Sequence, residues 1–370
     1  MVRRLFMVVL LVVISSCTMP FRPAVIAQGS DAFPGIAGYL SKEHAVEVVL
    51  VHGMCTHTPA DAYDAMDAIV QALDSNIKVE RPVEAQVAPS PLPRIQIVER
   101  TNRVKGFDVH FSAIIWSPLT APLKQQLAFD KTGTPNDCAI VPSDTCKPKR
   151  ATVNGVFKEG LLDDCFSDAL IYQGASRPTI RRAMVDALSA IDAKQPDPES
   201  PLVVVSASLG SKITFDALSE MLAGPNVGVT GSVGKRLATR LGLVYMEANQ
   251  LPLLALADQD LANTLFSPAN AGLVRSNADP LQTYLKLRAP ELEELKLVAF
   301  SDPNDLLSYR LLASRYAGIS NVKLADVLVS NDKTYLGLVE NPAAAHTTYP
   351  TNPNVARFVA CGNPAHALCK

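Results

Sequence analysis

Residues 201–212 read PLVVVSASLGSK. The first part, Pro201 to Val205, is a short apolar and β-branched run, which is typical of a buried strand. The small residues Ser206 to Gly210 suit a tight turn, and Lys212 to Leu222 has the periodicity of a helix. A strand that passes through such a turn into a helix places the middle serine, Ser208, at the carboxyl edge of a sheet.

Further apolar runs and helical patterns alternate on both sides of this stretch. Strands that alternate with helices predict βαβ units and a mostly parallel sheet with helices on both faces, which is the α/β class. The other predicted strands are residues 45–51, 108–116, 241–246, 295–300 and 322–329. The other predicted helices are residues 60–73, 166–171, 179–191 and 355–360.

Length and composition exclude several classes of protein. The chain has 370 residues, of which 48% are hydrophobic and 19% are charged. These values are ordinary for a chain with a sizeable core, and they exclude wholesale disorder and collagen-like structure. The net charge of −2 comes without a basic stripe, so we expect no nucleic-acid partner. The single long apolar run, Leu5 to Ile14, excludes a polytopic membrane protein.

This apolar run follows two arginines and is too short to span a bilayer comfortably, which is typical of a signal peptide. It ends in Ile14-Ser15-Ser16-Cys17, which resembles the lipobox of bacterial lipoproteins. The resemblance implies cleavage before Cys17, lipidation of Cys17, and a lipid anchor in the cell envelope, on the periplasmic side of the outer membrane. The alternative is an ordinary secretory signal cut near Ala24 or Ala27, which would give a secreted or periplasmic protein.

The domain organisation follows from these boundaries. We expect residues 1–16 to be the signal peptide, residues 17–40 a tether rich in proline and small residues, and residues 41–370 one domain. Residues 131–160 combine glycine, proline, lysine and two cysteines, so we expect an exposed excursion there. Residues 251–290 are largely helical in pattern and predict a helical insertion, which is either a lid or extra helices on the flank.

Six cysteines remain once Cys17 is assigned to lipidation, and an even number in an exported chain predicts disulfides. Two pairs each bracket a short loop that contains proline, so local pairing is the simplest of many possible connectivities. The remaining two cysteines then form the third pair. The predicted pairs are Cys138–Cys146, Cys361–Cys369 and Cys55–Cys165. The spacing of histidines and cysteines indicates no metal site, and we expect no metal.

Two motifs lie where predicted parallel strands end. Ser206 to Gly210 matches the nucleophile elbow G-x-S-x-G with a serine in place of the first glycine. VLVHGM, Val49 to Met54, looks like an early strand with a His-Gly turn. Together they resemble the α/β-hydrolase superfamily of serine esterases and lipases. The resemblance implies an α/β-hydrolase fold, with the backbone N–H groups of Met54 and Leu209 as the oxyanion hole.

The catalytic residues of this superfamily follow the order serine, acid, histidine. His346 follows the last predicted strand, where the superfamily places its base, whereas His366 lies in the C-terminal cysteine loop and is expected at the surface. The acid is expected after the penultimate strand. Asp305 matches the superfamily position, and Asp302, which precedes a proline and could simply initiate a turn, is the alternative. Glu247, after the preceding strand, is a third candidate.

The resemblance implies a serine hydrolase that cleaves a carboxylic ester through an acyl-enzyme. Ser208 would be the nucleophile, His346 the base, and Asp305 the acid that orients the base. No cofactor is required, and the expected substrate is a small-molecule or lipid acyl ester. The alternative is a non-catalytic envelope protein that keeps the scaffold for binding or assembly. Ser206 in place of glycine leaves room for that alternative, whereas the complete and ordered triad argues against it.

Overall fold

A computed structural model describes residues 17–77, 93–197, 199–224, 229–259 and 279–369 of the chain. The predicted signal peptide, residues 1–16, and the middle of the predicted insertion, residues 260–278, lie outside the described residues. Within the described ranges, no helix combines the length and the apolar character that crossing a membrane requires.

One mixed sheet of eight strands forms the centre of the molecule, in the order β2-β9-β8-β7-β6-β3-β5-β4. The strands from β9 to β5 in this order are parallel, and the two edge strands, β2 and β4, are antiparallel to their neighbours. A separate pair joins β1 to β10. The strands are β1 (Cys17–Thr18), β2 (Val25–Gly29), β3 (Ala45–Val51), β4 (Gln96–Val104), β5 (Phe107–Ile115), β6 (Leu202–Ala207), β7 (Leu241–Glu247), β8 (Leu295–Ser301), β9 (Val322–Leu328) and β10 (Thr334–Tyr335).

Helices cover both faces of this sheet. On one face α1, α2 and α15 pack together, and on the other α10 packs against α9, α11 and α13. The α-helices are α1 (Gly35–Glu43), α2 (Pro59–Leu73), α3 (Ala121–Lys124), α4 (Phe129–Thr132), α5 (Pro135–Ile140), α6 (Ser143–Cys146), α7 (Thr152–Val156), α8 (Ser167–Gln173), α9 (Arg177–Lys194), α10 (Leu209–Ala223), α11 (Val229–Arg240), α12 (Leu251–Leu254), α13 (Pro280–Leu287), α14 (Pro342–Thr347) and α15 (Pro353–Cys361). A π-helix spans Phe157–Phe166, and short 3₁₀ helices span Ser117–Leu119, Gln125–Leu127, Ala255–Asp258, Ala313–Tyr316, Tyr349–Thr351 and Ala367–Cys369.

The central strands are mostly apolar because both of their faces are buried. In β6, Val203 and Val205 point to the core under α1, α2 and α15, whereas Leu202 and Val204 point to the core under α9 and α10. This arrangement confirms the α/β class with a mostly parallel sheet flanked by helices. The six strands predicted from apolar runs lie within two residues of their expected bounds.

Residues 17–40 differ from the expected tether. Residues 25–29 form β2, which pairs with β9 at the edge of the sheet, and α1 begins at Gly35. Ile36 and Leu40 of α1 are buried in the core. The local pattern could not reveal β2, because a five-residue edge strand with one polar end has little periodicity and its partner lies near the other end of the chain. The ordered domain therefore begins well before residue 41.

The predicted excursion, residues 131–160, and the predicted insertion, residues 251–290, contain several short helices. Residues 121–173 form α3 to α8 and the π-helix, and they leave apolar side chains such as Ile140 and Leu170 exposed. The described parts of the predicted insertion are helical, namely α12, the following 3₁₀ turn and α13. The cysteines lie at disulfide distance in the three expected pairs, Cys55–Cys165, Cys138–Cys146 and Cys361–Cys369.

Candidate active site

Ser208 lies in the sharp turn that joins β6 to α10. Its backbone has φ 51° and ψ −126°, a conformation that residues other than glycine rarely adopt. Its N–H donates a hydrogen bond of 2.7 Å to the carbonyl oxygen of Glu247 at the end of β7. Backbone strain of this kind is held in place by the surrounding structure, and it clusters at functional sites.

Ser208, His346 and Asp305 form one hydrogen-bonded chain of side chains. The Ser208 Oγ lies 3.3 Å from Nε2 of His346, and Nδ1 of His346 lies 2.9 Å from both carboxylate oxygens of Asp305. Because a carboxylate can only accept, Nδ1 carries the hydrogen and Nε2 is the acceptor that faces the serine hydroxyl. All three residues are buried, with His346 on α14 and Asp305 in the turn after β8.

The Asp305 carboxylate is held by two further donors. The Tyr349 hydroxyl donates to Oδ2 at 3.2 Å, and the Leu307 N–H donates to Oδ1 at 3.0 Å. The Tyr349 hydroxyl in turn accepts from the Asp302 N–H at 2.7 Å. The carboxylate that contacts the imidazole is therefore fixed in position from its own turn and from the 3₁₀ helix after α14.

Asp302 has a different role in the same turn. Its carboxylate accepts hydrogen bonds from the N–H groups of Asn304 at 2.9 Å and Asn331 at 2.6 Å, so it ties two loops together. Burial raises the pKa of Asp302, and burial together with the charge of Asp302 raises the pKa of Glu340 to about 7. Of the two aspartates expected at this position, Asp305 is the one in contact with His346.

The turn after β3 lies directly against the nucleophile turn. A Cβ atom on Gly53 would lie 2.8 Å from the Cβ of Ser208 and 3.4 Å from its Oγ, so this approach requires glycine. Leu209 is the first residue of α10, where backbone N–H groups have no partner within the helix. Within the described part of the chain, the N–H groups of Met54 and Leu209 have no hydrogen-bond acceptor. Their assignment to an oxyanion hole stays a prediction.

His52 is a structural residue of this turn. Its Nδ1–H donates to the Gly53 carbonyl at 2.7 Å, and its Nε2 accepts from the backbone N–H groups of Trp116 at 2.9 Å and Ser117 at 3.2 Å. Burial and the neighbouring His57 hold the pKa of His52 well below its usual value. The neutral imidazole therefore links β3 to the end of β5.

Lys124, Asp164 and Asp168 form a polar clamp. It holds the next two residues of the turn after β3. The Cys55 N–H donates to Asp168 at 2.9 Å, and the Thr56 N–H donates to Asp164 at 3.0 Å. Lys124 lies 2.8 Å from Asp164 and 3.2 Å from Asp168. Burial raises the pKa of Asp168, although the positive charge of Lys124 opposes the shift.

The sequence does not predict the polar clamp, because its three charged residues share no pattern and lie far along the chain from Ser208. The Cys55–Cys165 disulfide joins the same turn to the π-helix. Asp164 and the two sulfur atoms lie close enough to hold a metal ion, but sulfurs that are joined in a disulfide are not thiolate ligands.

A cavity of about 420 Å³ opens beside Ser208. Its apolar lining comes from the sheet and from two of the three helices that cover this face, α2 and α15. The apolar lining includes Leu50, Ile69, Ile115, Val205 and Val359. Three acidic residues line the cavity, of which Asp61 and Asp64 are exposed and Glu247 is only 4% exposed. The cavity has the size of a small-ligand site.

No protein-family model matches the chain, and no curated protein matches it at a significant level. The function is therefore inferred from the chemistry of the site. A serine hydroxyl, an imidazole and a carboxylate in one hydrogen-bonded chain can activate the hydroxyl as a nucleophile. The adjacent apolar cavity can receive the group that is attacked.

Glu247, which lines the cavity, makes a pH-dependent contribution to the stability of the folded chain. Burial raises the pKa of Glu247 from 4.5 to about 8. The folded chain therefore binds this proton more tightly than the unfolded chain does. The contribution is fully present below pH 4.5 and is lost as the pH rises to about 8. Relative to Glu247→Gln, the wild type should lose on the order of 1 kcal/mol of unfolding free energy per pH unit within this window.

Denaturant titrations at several pH values measure this difference. Glu43→Gln is the matched control, because Glu43 is exposed at the end of α1 and its replacement should leave the wild-type pH dependence in place. Parallel curves for the wild type and Glu247→Gln would show that the Glu247 carboxyl is not protonated in the folded chain.

Proposed function

We propose that this chain is a serine hydrolase with an α/β-hydrolase fold, which cleaves a carboxylic ester through an acyl-enzyme. The observation that carries the proposal is the contact chain from Ser208 through His346 to Asp305. The strained strand–turn–helix geometry at Ser208 supports it, because such a turn exposes a serine hydroxyl at the edge of a sheet.

The positions of the three residues in the fold also support this proposal. Ser208 follows a central parallel strand, Asp305 follows β8, and His346 follows β9. This is the superfamily order of serine, acid and histidine. The turn at Ser208, the turn after β8 and helix α14 thus supply the three side chains of one site.

The mechanism follows from the position of the hydrogen on the His346 imidazole, which Nδ1 carries while Nε2 faces the Ser208 hydroxyl. The Ser208 Oγ attacks the ester carbonyl carbon while Nε2 of His346 takes the serine proton. The carboxylate of Asp305 stabilises the imidazolium that forms, and the N–H groups of Met54 and Leu209 receive the oxyanion. Collapse of the tetrahedral intermediate releases the alcohol, which takes the proton from Nε2. Water then attacks the acyl-enzyme with the same imidazole as base, and the acid product leaves.

The cavity supports an ester with an acyl group of modest size, from a small molecule or a lipid. Its apolar walls lie next to the nucleophile, so the acyl chain can leave water as it enters. The alternative function is a non-catalytic envelope protein that uses the scaffold for binding or assembly. The two proposals differ in whether Ser208 is a reactive nucleophile.

A fluorophosphonate probe should label the wild-type chain covalently, because the activated Ser208 attacks phosphorus as it would a carbonyl carbon. Labelling should be lost in Ser208→Ala and should persist in Ser206→Ala. Ser206 is the matched control, because its buried hydroxyl bonds to the Ser211 hydroxyl at 2.9 Å and not to the imidazole. Gel fluorescence and peptide mass mapping measure both results.

Absence of labelling in the folded wild type, together with no hydrolysis of short-chain p-nitrophenyl esters, would reject the enzyme in favour of the binding protein. Labelling that survives in Ser208→Ala would move the nucleophile to another residue.

The two aspartates of the turn after β8 should differ sharply in their effect on turnover. Asp305→Asn removes the acceptor for Nδ1–H of His346 and should lower kcat by about 10³–10⁴-fold, since the wrong tautomer is then favoured. Asp302→Asn alters a loop contact and should lower kcat by less than about tenfold. Steady-state hydrolysis of p-nitrophenyl acetate by both variants tests this. A larger loss in Asp302→Asn would reassign the acid.

We also propose that the chain is cleaved before Cys17 and held in the bacterial envelope by a lipid on that residue. The position of β2 supports this site over a cut near Ala27, which would divide a strand of the main sheet. Mass spectrometry of the N-terminal peptide from the membrane fraction should find Cys17 as the lipidated first residue. Cys17→Ser should move the protein to the soluble fraction. An unmodified N-terminus beyond Cys17 would contradict the anchor.

A further inference from the structure

The carboxyl group of Glu247 has no partner in the described part of the chain. No hydrogen bond or ion pair from the described residues reaches it, although Glu247 as a residue is only 4% exposed. Its oxygens are not among the fully buried side-chain atoms that lack a partner, so they remain accessible from the cavity. Burial raises the pKa of Glu247, and no charged residue of the described chain contributes to that shift. In ligand sites that are mostly apolar, a few polar groups placed in this way fix the orientation of the ligand.

The position of Glu247 points its side chain into the cavity beside the nucleophile. Glu247 pairs in register with Ala207, and its carbonyl oxygen accepts the Ser208 N–H at 2.7 Å. Side chains alternate along β7, and Tyr245, two residues earlier, lies in the core under α1, α2 and α15. This is the face of the sheet on which the cavity lies, and Glu247 lines that cavity.

The chemistry of the group limits what it can bind. A protonated carboxyl offers one O–H donor and one carbonyl acceptor, which a hydroxyl group satisfies in both directions. A plain hydrocarbon chain would leave the carboxyl without a partner. An ammonium group would require Glu247 to ionise against its raised pKa, and it would place a second positive charge in the same buried site as the imidazolium that forms on His346.

We propose that Glu247 is a specificity-determining residue that binds a hydroxyl group on the acyl chain of the substrate. The substrate class is then an ester of a hydroxyacyl group, with the hydroxyl close to the scissile carbonyl, because β7 is the strand next to the one that leads to Ser208. This inference rests on the proposed serine hydrolase function and names the substrate class of that same site.

Ethyl 3-hydroxybutyrate and ethyl butyrate are the probe substrates, because they differ by one hydroxyl group. Rates are followed by alkali titration at pH 7. The wild type should favour the hydroxy ester in kcat/KM by about ten- to a hundredfold, the range expected when a buried polar group is left unpaired by the poorer ligand. Glu247→Leu should abolish that preference. Glu247→Gln retains a donor and an acceptor and should keep most of it.

The two possible failures are distinguishable. If the wild type hydrolyses both esters at similar kcat/KM, the role of Glu247 is refuted and the hydrolase function stands. A preference for the hydroxy ester that persists in Glu247→Leu would also refute it, since another group must then bind the hydroxyl. If Ser208 is not labelled by the fluorophosphonate and neither ester is cleaved, the hydrolase function fails and the substrate class fails with it. If Glu247→Leu does not fold, similar kcat/KM values for the two esters in the wild type still refute the role of Glu247.

Discussion

Close contact between two backbone turns is the constraint on which the site depends. Gly210, at the start of α10, packs so tightly against the carbonyl of His52 that a Cβ atom there would overlap it. Gly53 approaches Ser208 in the same way from the other side. These contacts bring the end of β3 and the start of α10 together around Ser208, whose backbone has a positive φ of 51°. The three-residue chain of hydrogen bonds and the cavity are built around this junction.

The sequence predicts the parts of this arrangement that have a local pattern. Mostly apolar runs and one alternating segment, residues 108–116, predict the six parallel strands, and the turn at Ser208 follows from the strand before it and the helix after it. The choice between Asp302 and Asp305 needed the structure. Both aspartates lie in one turn after β8, and only the hydrogen bond to His346 separates their roles.

A pattern within one segment of the sequence cannot predict a feature that depends on contacts between distant segments. β2 is a short edge strand whose partner, β9, is near the other end of the chain. The polar clamp joins Lys124 and Asp168 to Cys55 through contacts between segments that show no common pattern in the sequence. Glu247 reads as an ordinary strand-end carboxylate, and only its burial in the cavity without a partner distinguishes it. Glu247 is a candidate for substrate binding only because the fold places it in the cavity beside Ser208.

The proposed reaction depends on a covalent acyl-enzyme at Ser208. Rapid quenching of the wild type during turnover of p-nitrophenyl acetate, followed by peptide mass mapping, tests it most directly. We predict one acetyl group on the peptide that contains Ser208, with faster accumulation than loss because the phenolate is a good leaving group. Turnover at an unmodified Ser208, or with the acetyl group on another residue that the reaction requires, would contradict the account.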